Sequence, residues 1–181
     1  KKIRTYFMKK KIVVTGGTGR FGNHLKSIFT KHKLFFPTKN QFNILNVNSM
    51  LKYFKKTKPH IVIHLAGFSR PMELHEKNIN KSINLNIMGT ANVTMACSQK
   101  NIKLIYFSTN YVYPGINGNY NEDDPLKPFN NYAWSKLGGE CSVKLYKNSL
   151  ILRVCMTEKP FIHKKAFANV KTSFMYHDEV A

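Results

Sequence analysis

The chain has few acidic residues, no long apolar run and little that suggests export. Asp and Glu total 9 of its 181 residues, against 29 Lys and Arg, which gives a formal charge of +20. Apolar runs such as the one at 61–63 are far shorter than the roughly 18 residues needed to span a bilayer. The basic start is followed by an apolar part, at 12–14, that is too short for a secretion signal. We therefore predict a protein that is neither membrane-spanning nor secreted.

Cysteines are also scarce, and the histidines form no strong metal-binding pattern. Cys97, Cys141 and Cys155 include no C-x-x-C pair and cannot all pair with one another, which favours a reducing, cytoplasmic setting. His60 and His64 bracket an apparent strand, where residues four apart share a face but lie about 13 Å from each other. We expect no metal site.

The positive charge is carried by lysine rather than arginine. The chain has 25 Lys scattered along its length, 4 Arg and 19 Asn. Arginine is the usual residue for bidentate recognition of phosphates and bases. Joint enrichment in Lys and Asn indicates a compositional bias, so we expect neither a nucleic-acid nor a membrane partner. The field still favours anionic small ligands such as nucleotides.

Strand and helix patterns alternate along the chain. Short apolar runs rich in β-branched residues predict strands at 11–15, 34–37, 60–66, 103–108 and 149–154. Helical periodicity predicts helices at 21–31, at 48–56 with Asn48 as N-cap, at 80–100 with Ile83, Ile87, Ala91 and Met95 along one side, and at 131–146. The alternation predicts an α/β fold with a doubly wound, Rossmann-like parallel sheet.

A glycine loop, TGGTGRFG at 15–22, separates the first strand from the first helix. Gly16 permits the tight turn, Gly19 lets a pyrophosphate approach the backbone, and Gly22 lets the helix pack closely on the sheet. Amide groups at the helix N-terminus then face the phosphates. The spacing, with a strand before it and a helix after it, predicts a dinucleotide-binding site.

The end of the second strand indicates which dinucleotide is bound. Sites that prefer NAD usually place an acidic residue there, close to the adenosine ribose. This chain has Pro37-Thr38-Lys39-Asn40 and no acid. Because Thr38 and Lys39 can accommodate a 2′-phosphate, we predict NADP as the cofactor, with NAD as the alternative.

A Y-x-x-x-K motif opens the last predicted helix. Its two residues, Tyr132 and Lys136, are four apart and so share a helical face. The ordinary pKa of tyrosine is near 10, and we expect the nearby ammonium of Lys136 to lower it. The phenol can then give a proton to a carbonyl, while Lys136 donates to the nicotinamide ribose. Thr109, at the end of the fourth strand, offers a hydroxyl to the same carbonyl, and the long loop that follows is typical of a functional segment.

Together these motifs resemble the extended short-chain dehydrogenase/reductase family. The resemblance lies in TGGTGRFG at 15–22, HLAG at 64–67, NIMGT at 86–90, FSTNYVYPG at 107–115 and YAWSK at 132–136. Within the family, NEDDPLKP at 121–128 and NNYAWSKLGGE at 130–140 resemble the dTDP-4-dehydrorhamnose reductase branch. Two positions depart from this branch, which often has Asp where this chain has Asn110 and Gly where it has Ala133.

The resemblance implies a role for each matching residue. Cofactor binding is implied for Gly16, Gly19 and Gly22, for the backbone of Arg20 and Phe21, and for Ala66, Gly67, Tyr132 and Lys136. Thr109, Tyr132 and Lys136 match the catalytic hydroxyl, acid and lysine, and Asn86 matches an asparagine that steadies the long helix. The implied reaction is reduction of a 4-keto sugar carried on a nucleotide, and the family suggests a homodimer.

The resemblance also divides the chain. It implies an NAD(P)-binding domain over 8–157, the start of an incomplete C-terminal substrate lobe over 158–181, and an N-terminal extension over 1–7. Two other functions remain open at this point. One is a sugar-nucleotide epimerase or dehydratase of the same superfamily, and the other is a non-catalytic NADP-binding regulatory subunit.

Overall fold

A five-stranded parallel sheet organises the chain. The computed structural model describes residues 8–28, 30–161 and 171–181, so the predicted extension at 1–7 lies outside the described residues. The strands are β1 (Lys11–Thr15), β2 (Lys33–Phe35), β3 (Ile61–His64), β4 (Lys103–Thr109) and β5 (Ser149–Val154). They follow the order β2-β1-β3-β4-β5, and every neighbouring pair is parallel. The predicted Rossmann-like fold class is confirmed.

Helices connect the strands and cover both faces of the sheet. They are α1 (Arg20–Ser27), α2 (Val47–Thr57), α3 (Glu73–Lys77), α4 (Ile79–Ser82), α5 (Gly89–Gln99), α6 (Asn131–Lys144) and α7 (His177–Val180). A π-helix at Ile83–Met88 joins α4 to α5, and one 3₁₀ turn at Asn110–Val112 follows β4.

The core has two parts because side chains alternate along β1. Val13 joins a cluster with Met50, Phe54 and Leu104 on one face of the sheet. Val14 joins a cluster with Phe21 and Leu25 on the other face. A strand that is buried on both faces needs apolar residues at successive positions, which explains the unbroken run Ile12, Val13, Val14.

The strand order creates a switch point between β1 and β3. The chain leaves β1 through α1 to reach β2 on one side, whereas β3 pairs with the opposite side of β1. In open α/β sheets, ligands bind outside the carboxyl ends of the strands at such a point. The loops after β1 and β3 are therefore the walls of the expected crevice.

Several helix predictions differ from the structure in detail. The N-cap of α2 is Asn46, whose side chain accepts a hydrogen bond from the backbone N–H of Ser49, so the prediction of Asn48 is wrong. In the long helix, Ile83 and Met95 are 40% and 47% exposed, whereas Asn86 and Cys97 are buried. The π-helix adds a residue to one turn and so rotates the faces before and after it, which simple periodicity cannot anticipate.

A second, very small sheet lies beyond β5. Its strands, β6 (Met156–Thr157) and β7 (Met175–Tyr176), pair in parallel. The following α7 packs on α1, where the ring centroids of His177 and Phe21 are 5.2 Å apart. The pairing of β6 with β7 joins residues from the two sides of the predicted boundary between 8–157 and 158–181. The division of the chain into these two domains stays a prediction.

The described residues carry three further findings that bear on function class. Cys97, Cys141 and Cys155 are free thiols. Within the described ranges, no helix is long and apolar enough to cross a membrane. The same ranges hold no group of three or more His, Cys, Asp or Glu side chains that could bind a metal ion.

A buried ion pair ties the end of the sheet to the long loop after β4. Glu140 of α6 accepts hydrogen bonds from the guanidinium of Arg153 on β5 at 2.9–3.3 Å. The other side of Arg153 donates to the hydroxyl of Tyr113 and to the carbonyl of Glu122, both at 2.9 Å. One guanidinium thus holds the loop against the sheet.

We predict that Arg153→Met lowers the free energy of unfolding by about 3–5 kcal/mol, because the buried carboxylate of Glu140 then loses its hydrogen-bonded counter-ion. Urea unfolding of the variant and the parent measures the loss. The double variant Arg153→Met/Glu140→Met removes both charges and is expected to recover most of the stability. A double variant as unstable as the single one would contradict the ion-pair explanation.

Candidate active site

A cavity of about 550 Å³ opens at the carboxyl end of the sheet, a size typical of small-molecule and cofactor sites. It brings together residues from the loops after β1, β2, β3 and β4 and from the start of α6. All the residues that the sequence assigned to binding or catalysis line it: Gly16, Gly19, Arg20, Phe21, Gly22, Thr38, Lys39, Ala66, Gly67, Thr109, Tyr132 and Lys136.

The floor of the cavity is backbone from the glycine loop and from the loop after β3. Gly16 has a φ of +71°, and a Cβ there would lie 2.7 Å from the backbone nitrogen of Ala66. A Cβ on Gly22 would lie 2.5 Å from the carbonyl oxygen of Gly16. Both positions therefore require glycine, one for its conformation and both for close approach.

Helix α1 begins at this floor. Gly19 is its N-cap and supplies no side chain, and the first turn contains no acidic residue. Arg20, Phe21 and Gly22 form that first turn and line the cavity. An anionic group held here meets the free amide groups and the positive end of the helix dipole. The arrangement fits the phosphates of a dinucleotide.

Asn86 in the π-helix joins two walls of the cavity. Its side-chain oxygen accepts from the backbone N–H of Phe68 at 2.7 Å, and its amide nitrogen donates to the Phe68 carbonyl at 2.7 Å. The same nitrogen donates to the Ser135 hydroxyl at 2.8 Å. Ser135 in turn donates to the carbonyl of Tyr132 at 2.7 Å. The loop after β3 and the first turn of α6 are thereby held in fixed relation.

Burial dominates the electrostatics of Tyr132. It raises the pKa of the phenol to about 12, while the Thr109 side chain and the positive charge of Arg70 oppose the rise. The prediction that Lys136 lowers the pKa of Tyr132 is therefore wrong for this structure. Desolvation disfavours the charged phenolate. The phenol consequently keeps its proton at neutral pH, which suits a proton donor.

Lys136 is buried beneath the cavity wall. Its ammonium nitrogen lies 4.2 Å from the centroid of the Tyr106 ring. Burial lowers the pKa of Lys136 to about 7, partly offset by the nearby carboxylate of Glu140. His64, stacked on Tyr106, has a pKa lowered by burial to about 3 and is neutral.

Two hydroxyls at the end of β4 face the cavity. The Thr109 side chain accepts from the backbone N–H of Tyr111 at 3.3 Å and also hydrogen-bonds the phenol of Tyr132. The hydroxyl of Ser108 is buried and has no hydrogen-bond partner within the described part of the chain. Buried hydroxyls are normally paired, so this one is a candidate contact for a bound ligand.

The outer end of the cavity carries the residues expected to select the cofactor. Thr38 and Lys39 are exposed, and Thr38 is fixed in a turn by hydrogen bonds with Gln41. On the opposite rim, Arg20 forms an ion pair with Glu158 at 2.9 Å. The Arg20 side chain is 45% exposed, so it remains accessible from the solvent.

Sequence reasoning missed part of the lining. Arg70, Tyr111 and Cys155 lie around Tyr132, and Glu158 and His177 come from 158–181, the predicted start of the substrate lobe. Arg70 and Tyr111 could have been suspected, because they follow strands whose carboxyl ends meet at the crevice. No sequence signal indicated Glu158 and His177, which reach the cavity through the small β6–β7 sheet.

Comparison with known proteins gives one family and three informative relatives. Residues 9–163 match the sequence model of the RmlD substrate binding domain. The crystal structure of dTDP-4-dehydrorhamnose reductase from Bacillus anthracis in complex with NADP is similar, with a TM-score of 0.78 and 29% identity, over 84% of this chain and 56% of that one.

Two curated relatives represent other functions. A dTDP-D-glucose 4,6-dehydratase from Dictyostelium discoideum is 32% identical, over 82% of this chain and 43% of that protein. A methionine adenosyltransferase 2 subunit beta from Danio rerio is 30% identical, over 82% of this chain and 48% of that protein. The chain spans about half the length of the curated relatives it matches.

We predict that Lys136→Met raises the free energy of unfolding more at pH 6 than at pH 9. Below the folded pKa of about 7 the lysine is charged in both states, so the folded state carries the whole cost of a buried ammonium. Between pH 7 and the unfolded pKa near 10.5 that cost falls as pH rises, because the folded lysine is then neutral. Urea unfolding at both pH values tests the difference.

Lys144→Met, an exposed lysine on the same helix, is the matched control and should show no such difference between the two pH values. If Lys136→Met raises the free energy of unfolding equally at pH 6 and pH 9, the gain does not come from removing a buried charge.

Proposed function

We propose that this chain, which belongs to the RmlD substrate-binding domain family, is the cofactor-binding part of an NAD(P)-dependent reductase of nucleotide-linked 4-keto sugars. The observation that carries the proposal is the meeting of Thr109, Tyr132 and Lys136 with the glycine loop in one cavity. Similarity to a dTDP-4-dehydrorhamnose reductase crystallised with NADP supports the same reading.

The cofactor proposed is NADP. A bound nicotinamide cofactor supplies the hydride for the reduction. The amide groups of Arg20, Phe21 and Gly22 would hold its phosphates, with the glycine backbone allowing close approach. Thr38 and Lys39 would take the 2′-phosphate, and Ala66 with Gly67 would line the riboses.

Tyr132 would act as the proton donor. As the carbonyl carbon accepts the hydride, the carbonyl oxygen takes the phenolic proton and becomes a hydroxyl. The Thr109 hydroxyl would hydrogen-bond the same oxygen and orient the carbonyl. While Thr109 holds the substrate oxygen, the phenolate left behind is stabilised by the guanidinium of Arg70, which lowers the pKa of Tyr132.

Lys136 and Asn86 have supporting roles in this proposal. Lys136 would donate to the nicotinamide ribose and so hold the ring beside Tyr132. A lysine with a pKa near 7 can still give two hydrogens to a ribose when it is neutral. Asn86 keeps Phe68 and Ser135 in place and thereby the spacing between the cofactor wall and the acid.

The proposal also covers the substrate, the cellular compartment and the oligomeric state. The substrate would be a sugar nucleotide, and the free thiols fit a reducing cytoplasmic setting. The resemblance also suggests a homodimer, for which the exposed apolar side chains of Ile83, Met88 and Met95 offer a surface that a second copy would cover. The mass measured in solution tests this assembly.

A second candidate is a non-catalytic NADP-binding subunit, favoured by the similarity to a methionine adenosyltransferase 2 subunit beta. It differs from the first in predicting cofactor binding without turnover of any sugar nucleotide. The resemblance argues against a dehydratase, which usually has acidic residues beside the catalytic hydroxyl, whereas Thr109 is followed by Asn110 and Tyr111. An epimerase would turn over its substrate without net change in the cofactor.

We predict that the protein oxidises NADPH when given a 4-keto sugar nucleotide, and that Tyr132→Phe lowers kcat by about 10²–10⁴-fold, because the proton donor is lost. The rate of NADPH oxidation is measured from the loss of NADPH absorbance with time. The assay uses the 181-residue chain and, where its coding sequence extends past Ala181, the longer product. Tyr53→Phe removes a phenol outside the cavity and is the matched control.

The outcomes separate the candidates. Tight NADPH binding without oxidation in the longer product would favour the regulatory subunit. Conversion of the sugar without NADPH loss would favour an epimerase. A Tyr132→Phe variant as active as the parent would remove the proposed acid.

We predict that Lys39→Ala weakens NADPH binding by about tenfold and leaves NADH binding within about twofold, because one charge-assisted contact with the 2′-phosphate is lost. Fluorescence titration with each cofactor measures both affinities. Lys52→Ala, an exposed lysine on α2 away from the cavity, is the control. Equal weakening of NADPH and NADH by Lys39→Ala would contradict the 2′-phosphate assignment.

A further inference from the structure

We propose that the short helix α3 positions Tyr132, through the ring of His75 and the carboxylate of Glu76. Neither residue was indicated by the sequence motifs. The inference rests on the proposed function only for the chemical role of Tyr132, since the contacts exist whatever that role is. His75 and Glu76 are thus positioning residues, which act on the reaction through Tyr132.

His75 packs against the ring of Tyr132 from behind the cavity wall. The ring centroids are 5.1 Å apart and meet edge to face at 63°. His75 also stacks on Phe68, with centroids 4.3 Å apart and planes at 27°. Its side chain is fully buried and does not line the cavity. Aromatic pairs in such geometries are stabilising beyond the area they bury, so this stack limits the positions of the Tyr132 ring.

The orientation of His75 is itself fixed. Its Nδ1 and the hydroxyl of Ser82 are 2.8 Å apart. Burial lowers the pKa of His75, although the backbone of Ser69 opposes this, so the ring is neutral and acts by packing. Ser82 ends α4, directly before the π-helix that carries Asn86.

Glu76 holds the start of the helix that carries Tyr132. Its carboxylate accepts from the backbone N–H of Asn131 at 3.1 Å and also from the side-chain amide of Asn131. Asn131 is the first residue of α6 and precedes Tyr132. A carboxylate at a helix N-terminus satisfies an unpaired amide and meets the positive end of the helix dipole.

The contacts form a closed loop around the phenol. Asn86 fixes the backbone of Phe68, the Phe68 ring supports His75, and His75 supports Tyr132. Tyr132 is also held at its carbonyl by Ser135, which bonds back to Asn86. Because α3 contacts both the Tyr132 ring, through His75, and the N-terminus of α6, through Glu76, its removal should free the phenol without unfolding the sheet.

The test follows the Tyr132 phenol directly by NMR. Tyrosine labelled with ¹³C at Cζ gives one resonance for each of the nine tyrosines, and Tyr132→Phe identifies the line of Tyr132. In His75→Ala we expect this line to broaden and its ionisation to move about one pH unit toward the ordinary value, because the ring is less buried. His75→Phe keeps an aromatic ring and should restore the parent line.

A second set of variants tests the role of Glu76 with the same NMR measurement. Glu76→Ala is expected to broaden the Tyr132 line, while Glu76→Gln keeps a hydrogen-bond acceptor and should have a smaller effect. Glu73→Ala, an exposed acidic residue on the same helix, is the control and should leave the line unchanged. Should His75→Ala fail to fold, Ser82→Ala, which removes the hydrogen-bond partner of His75, takes its place and is expected to broaden the Tyr132 line. An unchanged line in both Ser82→Ala and Glu76→Ala would then overturn the positioning role.

Kinetics supply a second readout where turnover is measurable. We expect His75→Ala to lower kcat by about tenfold with NADPH affinity unchanged within about twofold, because misplacement of the acid affects the chemical step. An unchanged Tyr132 line in both His75→Ala and Glu76→Ala would overturn the positioning role. A changed line in a protein that turns over no sugar nucleotide would keep that role and count against the proposed reductase.

Discussion

The site depends on the hydrogen bonds of one buried amide, the side chain of Asn86. This residue has three polar contacts, two with the backbone of Phe68 and one with Ser135. A buried amide that loses its partners costs about 1–3 kcal/mol, so the surrounding chain adopts the geometry that satisfies it. The hydrogen bonds of Asn86 thus fix the position of the loop after β3, through Phe68, and of the start of α6, through Ser135. Both of these segments in turn position Tyr132.

Burial acts in opposite directions on the two titratable groups of the motif at 132–136. It raises the pKa of Tyr132 to about 12 and lowers that of Lys136 to about 7. In each case the neutral form is favoured, since desolvation disfavours any charge. The site is therefore prepared with a protonated phenol and a lysine close to neutrality, a combination that suits donation of a proton rather than its removal.

The sequence was most informative where local pattern and tertiary position agree. β1 and β5 were predicted with their observed bounds. β1 is buried on both faces and so reads as an unbroken apolar run, whereas β5 is a partly exposed edge strand with a short apolar run at its centre. The glycine loop was clear because only glycine allows its conformation and close contacts. The helix α3 was missed because five residues are too few to show a helical hydrophobic periodicity. The π-helix was missed because it interrupts the periodicity of the long helix. The pKa of Tyr132 was misjudged because burial cannot be read from spacing.

The floor of the cavity consists of main chain, with Gly16 lying against Ala66 and Gly22 against Gly16. Main-chain atoms are the same whatever residue they belong to. A floor made of them suits the phosphates that all dinucleotides share and does not distinguish one sugar substrate from another. Substrate choice can therefore diverge among relatives through side chains on other segments while this part is retained. A backbone floor of this kind can be combined with different substrate-binding walls, and proteins named as a reductase, a dehydratase and a subunit each match more than four fifths of this chain.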